Sequence, residues 1–153
     1  MKDLLVHRTA AHIRAHCFWP NAKNMRYLNE LELLKLPAGK FAIFGSGPMA
    51  VRGIRESEDL DIIVKQDLWN ILAQKYPTSL HHNPTCLKIG NIEVYKDWLE
   101  LSDRIDEMID TAETIADFPF VRLKYVVEWK TQFGREKDLK DIGLIQKYND
   151  DRR

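Results

Sequence analysis

The order of apolar and polar positions predicts helices at both ends of the chain and a small sheet between them. Residues 2–17 carry a loose apolar stripe of Leu4, Leu5, His12, Ile13 and Cys17, with Arg8 and Arg14 off it, until Trp19-Pro20-Asn21 breaks the pattern. A second helix is expected over 22–36, through Tyr27, Leu28, Leu31 and Leu34, closed by Pro37-Ala38-Gly39. Phe41-Ala42-Ile43-Phe44 is a short apolar run bounded by glycines, which favours a buried strand. Residues 48–53 hold one or two helical turns. Asp59-Leu60-Asp61-Ile62-Ile63-Val64 reads as a second strand with both aspartates at its start, and 66–75 as a helix stopped by Pro77, with 81–84 as loop. Leu87-Lys88-Ile89 and Ile92-Glu93-Val94-Tyr95 flank Gly90-Asn91, a hairpin pattern. Beyond it are a helix over 101–109, short strand pieces over 111–116 and 120–121, a helix over 122–133 ended by Gly134, a last helix over 137–148 and a frayed tail. This is an α+β order rather than regular βαβ alternation.

Composition narrows the class. With 153 residues, 44% hydrophobic and 30% charged, the chain is expected to form one domain with its own core. We divide it into a helical extension (1–38), a sheet core (39–98) and a C-terminal helical part (99–153). The 23 basic and 23 acidic residues cancel, which argues against a general polyanion-coating protein. No stretch reaches the roughly 18 apolar residues of a membrane span, and the N-terminus is too interrupted by charge to read as a signal peptide. Cys17 and Cys86 form no CxxC pair; they read as free thiols of a reducing compartment, so a cytoplasmic location is expected.

The chemistry concentrates in FAIFGSGPMAVRGIRESEDLDIIV, residues 41–64. Glycines after a strand allow a sharp turn and close backbone approach to a ligand, and a helix starting there suits a phosphate. Ser46 offers one further donor. Gly45-Ser46-Gly47-Pro48-Met49-Ala50 also matches the dinucleotide fingerprint GxGxxG/A. That fold requires a long crossover helix and an acid at the far end of the next strand; here the helix is short and the acids come first, which disfavours it. Asp59 and Asp61, two apart on a strand, are expected to share a face, with Leu60, Ile62 and Val64 on the other. Adjacent carboxylates repel unless a cation lies between them, and such hard oxygen donors suit Mg²⁺ or Mn²⁺.

A strand, a Gly-Ser-Gly turn, a short helix and a DxD opening the next strand together resemble the nucleotidyltransferase superfamily related to DNA polymerase β. The run from Lys130 through Gly134-Arg135-Glu136-Lys137-Asp138 to Asp141 resembles the closing motif of the small nucleotidyltransferase-like proteins akin to the AbiEii toxin. The likeness spans 41–145; residues 1–38 take no part in it.

The resemblance implies a minimal nucleotidyltransferase fold that moves a nucleoside monophosphate from a bound NTP to an acceptor hydroxyl with Mg²⁺ or Mn²⁺. It implies that Asp59 and Asp61 bind the metal, with Glu93 as third carboxylate and base. The family often has aspartate at that third position, and Asp97 is the alternative. Gly45, Ser46 and Gly47 would contact phosphates, and Lys130 would neutralise the triphosphate. Arg52, Lys137 and Asp138 join the nucleotide-binding set; Arg52 and Arg55 reach phosphate or pair with Glu56 or Glu58, and Asp138 and Asp141 orient Arg135, Lys137 or the nucleotide or simply cap the last helix. The acceptor is left open among tRNA, a protein and a small molecule, and an antitoxin or a second copy of the chain is the expected protein partner.

Rival readings are a non-catalytic nucleotide-, RNA- or protein-binding module on the same fold, and an unrelated interaction domain with a fortuitous motif. His12, His16 and Cys17 have zinc-like spacing but no fourth ligand at a suitable position. His81-His82 reads as a loop pair, and Trp69, Trp98 and Trp129 as core or interface.

Overall fold

A computed structural model describes residues 25–153. The expected helix over 2–17, the break at 19–21 and the His12/His16/Cys17 group lie outside the described residues. The chain order is α1 (Leu28–Leu33), β1 (Phe41–Ile43), α2 (Gly47–Ala50), β2 (Leu60–Val64), α3 (Gln66–Lys75), β3 (Leu80–His81), β4 (Cys86–Ile89), β5 (Ile92–Tyr95), α4 (Ile105–Asp110), β6 (Glu113–Ile115), β7 (Phe118–Phe120), α5 (Leu123–Phe133) and α6 (Glu136–Asp151). Single 3₁₀ segments span Pro77–Ser79 and Leu99–Arg104. The class is α+β with a mixed seven-stranded sheet in the order β3-β4-β5-β2-β1-β7-β6.

The apolar runs occupy the middle of this sheet. All three residues of β1 are buried, because β1 is flanked by antiparallel β2 and parallel β7 and both faces are covered. On one face, Phe41, Ile43, Leu60, Ile62, Val64 and Val94 pack with Leu28 and Leu31 of α1 and with Leu68, Trp69 and Leu72 of α3. On the other, Ala42, Phe44 and Ile63 pack with Trp98, Leu101, Ile105, Met108, Tyr125, Val126 and Ile145. Side chains two apart on a strand share a face, so Asp61 lies on the face of Ile63, toward α4 and α5.

Antiparallel pairing of β1 and β2 is the opposite of what a dinucleotide-binding βαβ unit requires. The four-residue α2 does no more than turn the chain from β1 toward β2. β5 lies parallel to β2 with Asp61 opposite Glu93, and the β4–β5 hairpin closes at Gly90-Asn91. The Glu30 carboxylate accepts hydrogen bonds from the Asn91 backbone N–H and from its amide Nδ2, tying α1 to that hairpin.

Several expectations need correction. Of the expected helix over 22–36, residues 22–24 lie outside the described residues; among the described ones it occupies Leu28–Leu33, entered through Tyr27 at positive φ. Leu80–His81 pairs with β4 as a short strand instead of starting a loop. The helix expected over 101–109 is split, 3₁₀ to Arg104 and α from Ile105. The last helix continues to Asp151, beyond the expected end. Among the described residues no helix is long and apolar enough to cross a membrane. Cys86 is a buried free thiol; Cys17 lies outside the described residues.

Candidate functional site

Three pieces of chain meet at one end of the central strands. The first is the turn after β1. Phe44 donates its backbone N–H to the Asp61 carbonyl at 2.9 Å, which places the following glycines beside the start of β2. Gly45 has φ +60, and a Cβ there would stand 2.7 Å from Asp61 Oδ2. Only glycine allows both the left-handed backbone and this close approach to the carboxylate. Gly47 begins α2 in contact with Ile43, again leaving no space for a side chain.

The second piece is the polar link into β2. Ser57 Oγ donates to the Asp59 carbonyl at 2.7 Å, and Ser46 Oγ lies 2.7 Å from Ser57 Oγ. A hydroxyl has one proton, and that of Ser57 is given to Asp59, so Ser46 is the donor in the serine pair. A phosphate at this turn would have to displace Ser57 as the acceptor of the Ser46 proton. Asp59 is exposed and precedes the first residue of the strand, whereas Asp61 is largely withdrawn from solvent.

The third piece is β5. Glu93 stands directly opposite Asp61 on the parallel neighbour, and Asp97 is exposed beyond the strand's end, so Glu93 is the carboxylate that joins Asp61. Tyr95 Oη donates to Glu93 Oε2 at 2.7 Å, and Lys88 Nζ lies 3.7 Å from Oε1. Burial first, then the Glu93 and Asp59 charges, push the Asp61 carboxyl up to about 7. Asp61 Oδ1 is buried and unpartnered among the described residues. The Tyr95 hydroxyl is pushed well above its usual range by burial and by its bond to Glu93. An orphaned oxygen in a crowded acidic pair is the setting in which a hard divalent cation is bound favourably, and the donor set fits one. As arranged, no three His, Cys, Asp or Glu side chains among the described residues are grouped closely enough to hold a metal by themselves.

Sequence reasoning did not single out the aromatic group beside this pair. Phe44, Tyr95, Trp98 and Trp129 form a continuous cluster, with ring centroids 4.7 Å apart for Phe44–Trp98, 5.1 Å for Tyr95–Trp98 and 5.2 Å for Trp98–Trp129. Trp98 and Trp129 are expected in the core or at an interface; both indole Nε1 atoms are buried and unpartnered among the described residues. Ser57 was also missed, because its role appears only once the turn and the link are side by side.

The C-terminal motif forms a different constellation. Lys130 is buried, with Nζ 2.9 Å from Asp141 Oδ2, 3.4 Å from Asp138 Oδ1 and 4.3 Å from the Trp129 ring centroid. The anion that a buried lysine requires is thus supplied by Asp138 and Asp141. Asp138 also accepts from Arg135 Nε at 2.7 Å and from the Arg135 backbone N–H at 3.1 Å, so it caps α6 and holds the arginine. Burial, the largest single influence, pushes Asp138 up, yet the Arg135 hydrogen bonds and the Lys130 charge together hold it below the usual carboxylate range. Arg55 grips Asp141 with Nε at 2.9 Å and Nη2 at 3.2 Å, not Glu56 or Glu58 through their carboxylates. Arg52 donates to the Pro48 carbonyl at 2.8 Å and to Glu113 at 2.7 Å. Lys137 is exposed on the first turn of α6. Gly45, Ser46, Gly47, Asp59, Asp61 and Glu93 therefore gather at one locus. Lys130, Asp138 and Asp141 form a separate buried ion network, and Arg52 is bound at a third place.

Comparison with family models, with curated proteins and with solved structures finds no match for this chain.

Proposed function

We propose that this chain is a Mg²⁺-dependent nucleotidyltransferase on a minimal nucleotidyltransferase fold, moving a nucleoside monophosphate from an NTP to an acceptor hydroxyl. The reading is carried by the contact of Gly45 with Asp61 Oδ2 while Asp61 stands in register beside Glu93. A turn suited to phosphate lies against an acidic pair, and those two only coexist with a phosphate if a divalent cation mediates. Asp61 and Glu93 would hold that cation, with Asp59 joining from the exposed rim. Bound there, Mg²⁺ or Mn²⁺ supplies neutralisation of phosphoryl oxygens and lowers the pKa of an attacking hydroxyl.

The chain's own residues have distinct tasks in this reading. Gly45 and Gly47 let phosphate oxygens approach the backbone, and the Ser46 hydroxyl turns from Ser57 to donate to them. Glu93 is the more open carboxylate of the pair, held by Tyr95 on one oxygen, so its other oxygen is placed to take the acceptor's proton. Lys130, Asp138 and Asp141 fix α5 against α6 and, through Arg55, fix the link that leads to Asp59.

A second reading, a non-catalytic nucleotide- or protein-binding module, is favoured by one observation. Lys130, which the resemblance assigns to the triphosphate, is already neutralised by Asp138 and Asp141, and Arg52 is held at Glu113, away from the acidic pair. The two readings separate by incubation with each α-³²P-labelled NTP, Mg²⁺ and, in turn, tRNA, cell protein and a small-molecule hydroxyl pool. Transfer of label that is lost in Asp59→Asn/Asp61→Asn supports the enzyme. Nucleotide binding without label transfer or pyrophosphate release from any pool supports the module.

A further inference from the structure

At the same end of the sheet, but toward its β6 edge, lies a cleft of about 370 Å³ that the proposed function does not use. Its walls include Arg52, Glu113, Arg122, Lys124, Tyr148 and Asn149. The strand register fixes its place: Ile43 pairs with Ile62 on one side and Phe120 on the other, and Phe120 pairs with Glu113. Glu113 is thus three strand spacings from Ile62, about 14 Å.

We propose that this cleft binds a small phosphomonoester. Three cationic side chains and one carboxylate line the cleft. Arg52 Nη2 contacts Glu113 Oε2 at 2.7 Å and Arg122 Nη1 contacts Oε1 at 2.9 Å, so both carboxylate oxygens are consumed by guanidinium groups. Lys124 rests over the Tyr125 ring, 4.9 Å from its centroid, near Glu107, a carboxylate that does not line the cleft. The lining therefore carries an excess of two positive charges, which a phosphate dianion matches. The Arg52 side chain is only 6% exposed and is anchored by the Pro48 carbonyl, so one fork is held in position before any ligand arrives. Arg122 is held by Glu113 and, through Nε at 2.7 Å, by the Thr111 carbonyl, so the exposed Lys124 is the cation that swings toward an anion. The cleft is larger than a phosphate ion and falls within the usual range of small-ligand sites. Tyr148 and Asn149 provide a hydroxyl and an amide for the rest of such a molecule.

The test is calorimetric titration of the full chain with inorganic phosphate and with ribose 5-phosphate, in EDTA, with chloride at matched ionic strength as control. EDTA removes the metal-dependent reading from the outcome. We expect saturable binding, tighter for ribose 5-phosphate, and retained in Asp59→Asn/Asp61→Asn. In Lys124→Gln and in Arg122→Gln/Lys124→Gln the dissociation constant rises about tenfold or more, as loss of a charge-assisted hydrogen bond requires. Both positions are exposed, and Lys124→Gln alone guards against misfolding of the double variant. Absence of saturable binding by either probe, binding unchanged by Lys124→Gln, or binding lost in the aspartate variant overturns the proposal.

Discussion

Asp61 decides how the residues of the candidate site behave. Its folded-state pKa of about 7 lies above the ordinary 3.8, so between those values the native chain keeps a proton that the unfolded chain has released. The stability this contributes is fully present below the unfolded value and is lost as pH rises through about 7. The metal-free protein is therefore expected to lose stability between pH 5 and pH 8. Asp61→Asn should flatten that dependence and stabilise the chain at pH 8 by about 2 kcal/mol, allowing for solvent screening at the rim. Chemical denaturation of both proteins at the two pH values checks this; equal pH slopes would show that Asp61 is not the strained group. Gly45→Ala is expected to cost about 1–3 kcal/mol, because it places a side chain at φ +60 and against Asp61 Oδ2. A fully stable Gly45→Ala would remove the steric basis for the turn–carboxylate contact. At this scale the alternation in Ile92-Glu93-Val94-Tyr95 was enough to choose Glu93 over Asp97. Tyr95 was not legible as its hydrogen-bond partner, since same-face neighbours on a strand show only that contact is feasible.

At the scale of elements, the α5–α6 hairpin is held by charge as well as by apolar packing. Lys130, Asp138 and Asp141 are buried together, and Arg55 and Arg135 reach in from more exposed positions. Breaking a buried pair by removing one partner is costly because it strands the other charge. Lys130→Met is accordingly expected to lose about 3–5 kcal/mol, and thermal denaturation should show a drop of about 10 °C. A change within 2 °C of zero would mean that the aspartates find solvent or new partners. Asp138, held below the usual carboxylate range, contributes stability that is present above that range and is lost on acidification through it. Local signals found the elements well where each carries its own start and stop. Gln66–Lys75 follows from a periodic stripe before Pro77, and the β4–β5 hairpin follows from Gly90-Asn91. They did not find β3, two residues long, or the 3₁₀ start before α4, because neither is periodic. The lysine-to-aspartate motif was visible as a pattern. That it satisfies itself, with Arg55 arriving from 86 residues away, depends on tertiary placement that no local window contains.

For the molecule as a whole, the sheet's two covered faces set the site at its rim. β2 pairs with both β1 and β5, so the glycine turn, the DxD segment and Glu93 converge although they are separated along the chain. The α+β class was legible from the order of elements; the sequence showed that the helix between β1 and β2 is short, and their antiparallel pairing came only from the structure. The parallel pairing of β2 with β5, across α3 and two further strands, left no trace in the local sequence. With net charge zero, the nucleotide binding of the proposed function would have to come from this local geometry rather than from the overall field. The most direct test is a thermal shift with each of the four NTPs, with and without Mg²⁺, on wild type and on Asp59→Asn/Asp61→Asn. We predict a Mg²⁺-dependent rise of about 5–10 °C at 100 times the dissociation constant, corresponding to about 2.7 kcal/mol, with one NTP and only in wild type. No shift with any NTP at millimolar Mg²⁺, or a shift that survives loss of both aspartates, would contradict the account.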